Sequence, residues 1–374
     1  MISEIKGTLM NRDVPVLKIE GILKINEARF YEIVFTKEEI LNELMCPIVV
    51  NKTLSAERNL ANLNYWFNKR LMSKKRTFKK VKELTFDELY PHFLCMSDHY
   101  WIQYDNEKWE DVSYFFNVPD KSLGEFSFSK NPNIEKFHIT NNAPELTTNG
   151  IQNKRWVLKA EMPMGNLYAL RKRNSKKLGT EVYSDVLATA ILKKLGTIEF
   201  VPYNLVIDEN ELASECLNFI NVDTELVTAT SLLSVVNKKE NENIYDTLIR
   251  IGDIYHIPGV SNHIDTIINV NEILHNEDCN TGNIAFIRNR EGKFIGGSPI
   301  YDFGFAFLTT DGKVKNIFEQ RRIALKSKDK LIKISKKEIE KIMEDYNFGI
   351  DNDNFKEIVE TRLHERENGV RYSF

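Results

Sequence analysis

Asp278, Asn283 and Asp302 are three side chains whose types and spacing suit a single chemistry. Asp278 and Asn283 stand five positions apart in the run I-L-H-N-E-D-C-N-T-G-N-I-A-F-I that starts at Ile273, on a loop that ends in the apolar stretch 284–287. After the turn N-R-E-G-K-F-I-G-G, a second apolar run at 299–301 delivers Asp302-Phe303-Gly304. One carboxylate so placed accepts a hydroxyl proton, while the amide and the other carboxylate hold magnesium on a nucleoside triphosphate. The same residues also suit a plain β-hairpin whose polar groups cap turns, with Asp302-Phe303-Gly304 a turn after a buried strand.

The elements that must position these groups lie upstream. Residues 147–154 (Thr147, Thr148, Asn149, Gly150, Gln152 and Lys154 among them) are small or hydrogen-bonding, with one glycine that lets backbone approach a ligand closely. Such a turn can cradle phosphates on its amides and hydroxyls, and it can equally be an ordinary hairpin turn. Residues 157–160 and 167–170 read as paired strands, and the second ends in Arg171-Lys172-Arg173. A cation leaving that strand suits the α- and β-phosphates of a nucleotide. A helix over 181–196 follows, stopped by Gly196, with Glu181 in its first turn. Glu181 either pairs with the strand cation or complements the helix dipole. Strands at 201–207 and 213–220 come next, and then helical stretches at 231–236, 245–251 and 264–274. Past the two loops, helices are expected at 315–330, 336–347 and 355–367. The charged run 326–341 reads as decoration of exposed helix faces.

The chain has 374 residues, 42% apolar and 28% charged, with a formal net charge of -3. Those values fit a globular protein with room for two or more domains and argue against a dedicated nucleic-acid binder. No apolar stretch is long enough to span a membrane, and the start carries no basic-then-apolar signal. Cys46, Cys95, Cys216 and Cys279 are scattered without zinc spacing, which suggests reduced thiols and a cytoplasmic location. In the first third, short apolar runs at 8–10, 14–19, 30–35 and 48–50 suggest a β-rich unit, and 53–76 turns to helical spacing. A second amphipathic helix is expected over 86–96. The aromatic stretches 96–102 and 109–116 suit a core or an interdomain seam. The polar, proline-bearing segment 117–144 reads as a linker. The expected division is an N-terminal accessory region at 1–140, a small lobe at 141–220 and a helical lobe at 221–374.

The pattern H-x-x-D-x-x-x-x-N followed by D-F-G, from His275 to Gly304, is the one that protein kinases carry at their catalytic and metal-binding loops. With Pro144–Gly150, Lys154, Trp156, the helix 181–196 followed by Val201-Pro202-Tyr203, and upstream 66–70, 97–102 and 109–116, the chain resembles the HipA-like serine/threonine kinases. The likeness is to the bacterial single-chain variety common in Firmicutes and their mobile elements. The resemblance implies an α+β, two-lobed protein-kinase-like fold and an ATP- and Mg2+-dependent protein kinase, toxin-like in growth control or defence. It implies Asp278 as base, Asn283 and Asp302 as magnesium ligands, and 147–154 as a phosphate loop whose Thr147 or Thr148 is autophosphorylated. It makes 215–219, with Glu215, Cys216 and Phe219, the hinge that meets adenine. The implied partners are a protein substrate and a cognate antitoxin or DNA-binding protein encoded nearby, with no membrane and no direct nucleic-acid contact. Three positions depart from the family: Arg171 precedes Lys172 where a lysine ends the strand, Asn280 stands where relatives place histidine, and Asn276 replaces the arginine of H-R-D. A catalytically silent nucleotide-binding module, resting on Arg171, and a small-molecule or lipid kinase are the alternatives.

Overall fold

Apolar and charged residues alternate through the first forty positions, and they fold into antiparallel strands with one face inward. A computed structural model describes residues 2–25, 31–71, 92–119, 128, 143–148, 150, 152–175, 179–308, 317–328, 330–345 and 353–367. Strands β1 (Ile2–Asn11), β2 (Val14–Ile25), β3 (Tyr31–Ile40) and β4 (Tyr100–Gln103) form a sheet ordered β3-β2-β1-β4. Leu17, Ile19 and Leu23 point into the core while Lys18 and Lys24 face water. Helix α1 (Ala56–Arg70) is capped by the Ser55 hydroxyl, which accepts from the Arg58 amide. It covers β3 through two asparagines one turn apart. Asn64 accepts from the Phe35 amide at 2.6 Å and donates to its carbonyl at 3.2 Å. Asn68 does the same for Ile33, at 3.1 and 2.8 Å. Side-chain amides thus take the place of a neighbouring strand on an edge that would otherwise be open to pairing. The apolar run 48–50 forms a turn rather than a strand.

The chain divides into two compact units. The first comprises Met1–Arg171, Leu217–Asn237 and Ile287–Ile295; the second comprises Lys172–Cys216, Lys238–Phe286 and Gly296–Phe374. Four of the five breaks fall within strands, and none falls near the expected boundary at 140. In the first unit, the short helix α2 (Trp109–Val112) and the aromatic stretches build a core with Trp101, Trp109, Tyr114, Phe115 and Tyr168. A buried polar network joins β1 and β4 to later chain. Glu225 accepts from Asn11 and is ion-paired with Arg288, which also donates to the Cys46 carbonyl and the Tyr100 hydroxyl. This welds 217–237 and 287–295 to the N-terminal sheet, a long-range pairing that no local pattern announces.

Strands β5 (Lys154–Ala160), β6 (Leu167–Arg173), β7 (Asn204–Asp208) and β8 (Glu211–Leu217) form a sheet ordered β5-β6-β8-β7. A third sheet holds β9 (Thr224–Thr228), β10 (Ala285–Asn289) and β11 (Phe294–Gly297), in the order β11-β10-β9. The run 299–301 is not a strand of its own; Ile300 makes only an isolated parallel bridge with Phe200, and β11 occupies the expected turn instead. Helix α3 (Glu181–Leu195) ends at Gly196 in the left-handed conformation, and its side chains from Val182 to Thr189 are all buried. Helices α4 (Ala229–Ser234), α5 (Ile244–Ile254), α6 (Val260–Ile273), α7 (Glu319–Ser327), α8 (Lys336–Asp345) and α9 (Asp353–Glu367) complete the described elements. Among the described residues no helix is long and apolar enough to cross a membrane. Most of the expected helix at 86–96, the tail of the helical stretch 53–76 and most of the segment 117–144 lie outside the described residues.

Candidate active site

The two candidate cations of strand β6 differ in burial. Lys172 is the inward one, with its side chain 2% exposed, whereas Arg171 is half-buried. The Lys172 ammonium lies 2.9 Å from Asp302 Oδ1 and 3.0 Å from Asp185 Oδ2, over the Tyr203 ring. Burial opposes its charge, but Asp185 and Asp302 outweigh burial and hold its pKa well above the usual lysine value.

Asp185 comes from α3, one helical turn beyond Glu181 and on the same face. The expected pairing of Glu181 with the strand cation is made by Asp185. Glu181 instead accepts from the Ser175 amide, at 3.1 and 3.2 Å from its two oxygens, and so ties the β6–α3 connection to the helix start. The reason is depth: the first turn of α3 reaches the connecting loop, and only the second reaches Lys172. Asp185 also accepts from the Ser214 hydroxyl at 2.7 Å and the Phe303 amide at 3.1 Å. Asp185, Ser214 and Tyr203 are the residues that sequence reasoning missed. A carboxylate in the middle of an otherwise apolar helix was the available signal, since it is buried only when paired.

Asp302 itself has φ +66, a left-handed backbone that costs a non-glycine residue energy. Two hydrogen bonds hold it there. Its own amide donates to the Tyr203 hydroxyl at 3.1 Å, and the next amide, of Phe303, donates to Asp185. Phe303 is buried against Tyr203 and Phe200. Asp302 keeps 37% of its side chain exposed while the lysine that grips it is buried.

The loop before β10 is laced by amides. Asn280 Nδ2 donates to Asp278 Oδ1 at 2.7 Å, and Asn283 Nδ2 reaches Asp278 Oδ2 at 3.3 Å and its carbonyl at 3.2 Å. Asn280 Oδ1 accepts in turn from the Gly282 amide at 2.8 Å, and a Cβ at Gly282 would stand 2.9 Å from that oxygen. Asn280 thus uses both ends of its amide, one on the Asp278 carboxylate and one on the Gly282 backbone. Burial pushes the Asp278 carboxyl above its usual range; the Asn280 amide pulls it back, the neighbouring Asp302 charge adds to the rise, and Asn283 lowers it. Cys279, next to Asp278, is a buried thiol pushed up to about 12 by desolvation, an inert bystander.

The second unit therefore brings together Lys172, Asp185 and Asp302, and Asp278 with Asn283. The loop candidates lie in the first unit. Thr147 is buried and donates to the Leu94 carbonyl at 2.6 Å; Thr148 donates to the Pro144 carbonyl at 2.7 Å and accepts from Trp156 at 2.8 Å. Gly150 has φ +102, and a Cβ there would meet Lys154 Nζ at 2.5 Å, so glycine lets that ammonium fold over the loop backbone. Gln152 is half-buried beside it in sequence, and Asn149 lies outside the described residues. In the expected hinge, Glu215 and buried Cys216 end the portion of β8 in the second unit, and Phe219 packs on the aromatic core of the first. The Asn218 amide between them is already given to the Tyr168 carbonyl at 2.8 Å.

No family model matches this sequence, and no curated protein matches it. Among solved structures, HipA of Shewanella oneidensis MR-1, determined with HipB and its operator DNA as a toxin–antitoxin system, aligns at a TM-score of 0.52 and 10% identity over 96% of this chain and 97% of that one. The fold is HipA-like. It is α+β, as the pattern of loops and elements implies. The proinflammatory kinase CtkA of Helicobacter pylori is also similar, at 18% identity and a TM-score of 0.44, over 59% of this chain and 89% of that one. At these identities the likeness concerns the HipA-like fold; the chemistry has to be argued from the residues.

Proposed function

We propose that this chain is an ATP- and Mg2+-dependent protein serine/threonine kinase. One observation carries the reading: a buried lysine bridges a helix carboxylate and the strained, partly exposed Asp302, in the same unit as the amide-laced Asp278. A left-handed backbone held at a cost, on a partly exposed aspartate, suits a carboxylate preset to coordinate a nucleotide-borne metal.

The donor set fits magnesium carried by a nucleotide. Asp302 and Asn283 offer hard oxygens, and Asn283 spends its Nδ2 on Asp278, which leaves the coordinating Oδ1. Among the described residues no group of three or more His, Cys, Asp or Glu side chains could hold a metal, and a nucleotide-borne magnesium asks for only one or two carboxylates. Magnesium, when bound, neutralises the charge that develops on the transferred phosphoryl group. Lys172 holds the α- and β-phosphates, and Asp185 keeps it charged and aimed. Asp278 accepts the proton of the attacking hydroxyl, and Asn280 and Asn283 fix the carboxylate that does so. Lys154 and the 147–152 backbone supply the phosphate loop. Autophosphorylation at Thr147 or Thr148 then requires that turn to open, because both hydroxyls are given to backbone carbonyls. The burial of Lys172 beside Asp302 supports the active reading over the silent-module alternative, which rested on Arg171.

By its likeness in fold to HipA, the chain is read as the toxin-like half of a growth-control or defence pair, with an antitoxin or DNA-binding partner encoded nearby. Its four free cysteines support a reducing compartment, and the cytoplasm is the proposed location. The test is labelled ATP with Mg2+, the purified protein and a cell extract, wild type against Asp278→Ala. Label on proteins with wild type and none with the variant is expected. No label, or equal label, overturns the reading, and label confined to small molecules or lipid turns it to the small-molecule alternative.

A further inference from the structure

Helix α9 buries Phe355, Val359 and Leu363, spaced one turn apart on one face. The same face carries an arginine. Arg362 is 8% exposed, and its guanidinium forms an ion pair with Glu277, the two side chains being 9% and 7% exposed. A buried ion pair is a poor way to hold a helix down. Desolvation offsets most of its attraction, and apolar residues of similar volume are often as stable or more so. What such a pair supplies is a fixed position, and Glu277 is the residue immediately before Asp278.

The loop is anchored elsewhere too, which shows what is left for Arg362 to do. At its start, His275 (φ +48) stacks on Phe307 (φ +63), and the Phe307 amide donates to the Leu274 carbonyl at 2.9 Å. At its end, Asn280 and Asn283 bind the Asp278 carboxylate. Between these anchors the Asn276 side chain accepts from the Asp278 amide at 3.1 Å, and Glu277 is tied to α9 by its ion pair with Arg362. α9 also reaches the other half of the site: Phe355 stacks on Tyr183 at 5.5 Å, and Tyr183 lies on α3 two residues from Asp185. One helix therefore touches both the loop that carries Asp278 and the helix that carries Asp185.

We infer that Arg362 is a positioning residue: through Glu277 it fixes the 275–283 loop so that Asp278 meets the attacking hydroxyl, and α9 thereby governs the rate of phosphoryl transfer. The inference rests on the kinase reading for its effect on rate, and on geometry alone for its effect on the loop. Its test uses the full chain as wild type, Arg362→Met, Glu277→Gln and the exchanged pair Glu277→Arg with Arg362→Glu. Methionine keeps the stem volume and removes the charge, and glutamine serves if that variant fails to fold.

Three quantities are read: kcat and KM for ATP, the melting temperature, and amide hydrogen exchange across 275–283. In either single variant, kcat should fall on the order of 10- to 100-fold, as for a catalytic group displaced by a fraction of an ångström to an ångström. KM for ATP should stay within about twofold, since the nucleotide contacts are untouched. Exchange should speed up in 275–283 and not elsewhere, and the exchanged pair should recover both rate and protection. Wild-type kcat with unchanged exchange in the single variants overturns the inference. So does a loss of rate that tracks a lower melting temperature and is not recovered by the exchanged pair. If wild type transfers no phosphoryl group, the kinase reading fails, and the exchange measurement alone decides whether Arg362 holds the loop.

Discussion

Arg288 and Lys172 are both cations sunk beneath the surface against carboxylates, one in each unit, yet they are built differently. Around Arg288 everything closes. Its side chain is 3% exposed and Glu225 is 1% exposed; the guanidinium spends its donors on Glu225, the Cys46 carbonyl and the Tyr100 hydroxyl. Glu225's second oxygen is taken by Asn11 at 3.0 Å. Around Lys172 one end is left open, because Asp302 keeps more than a third of its side chain exposed on a left-handed backbone. A closed network fixes the register between distant strands, and its desolvation cost is offset by good geometry all round. An open one holds a charged group ready for something else to bind.

That contrast can be broken by substitution. The largest effect is expected at the open end: Asp302→Ala should lower phosphoryl transfer by on the order of a thousandfold, as removal of a preorganised charge-stabilising group does. The melting temperature should hardly move, and activity together with calorimetry checks both halves. A variant that unfolds instead would return Asp302-Phe303-Gly304 to the role of a structural turn. At the closed network the opposite signature is expected. Glu225→Ala strands the buried Arg288 and should cost about 3–5 kcal/mol in denaturant unfolding, with no selective change in KM for ATP in whatever folds.

A finer contrast lies within α3. Asp185→Asn should weaken activity strongly by loosening Lys172, whereas Glu181→Gln should change kcat by less than about threefold, since its acceptor role toward Ser175 survives. Steady-state kinetics on the two variants separate them, and equal losses would restore Glu181 as the functional partner. The smallest effect is a shift along pH. Asp278 works as a base when deprotonated, so activity appears as pH rises through its raised pKa. Asn280 is a donor that lowers that pKa, so Asn280→Ala should move the acid limb of the pH–rate profile to higher pH. An unmoved limb would mean that Asn280 serves the loop backbone only.

The local signals that were legible are those with a short period. Val186, Ile191 and Gly196 announce α3 and its end, and Leu60, Leu63 and Phe67 announce α1, because helical spacing and a glycine stop are written within a few residues. The Asp278, Asn283 and Asp302 spacing was legible for the same reason. Asp185 was not, since it shares a helix face with Glu181 and only the depth of α3 against β6 separates them. Strand β9 passed unnoticed because its run T-E-L-V-T makes sense only once Glu225 has Arg288 to pair with. The pairing of Arg362 with Glu277 spans the last helix and the catalytic loop, beyond the reach of any local pattern.

Period and motif spacing by themselves singled out the loop carrying Asp278 and Asn283 and the Asp302 that follows it, and the resemblance those motifs carry implied the α+β class. Tertiary structure decided which cation lies against Asp302, which helix carboxylate holds that cation, and where the two units divide. The physical reason is that spacing along a chain specifies which side of an element a residue is on. How deep that side is buried, and against what, depends on partners more than a hundred residues away, as Lys172 and Asp302 are.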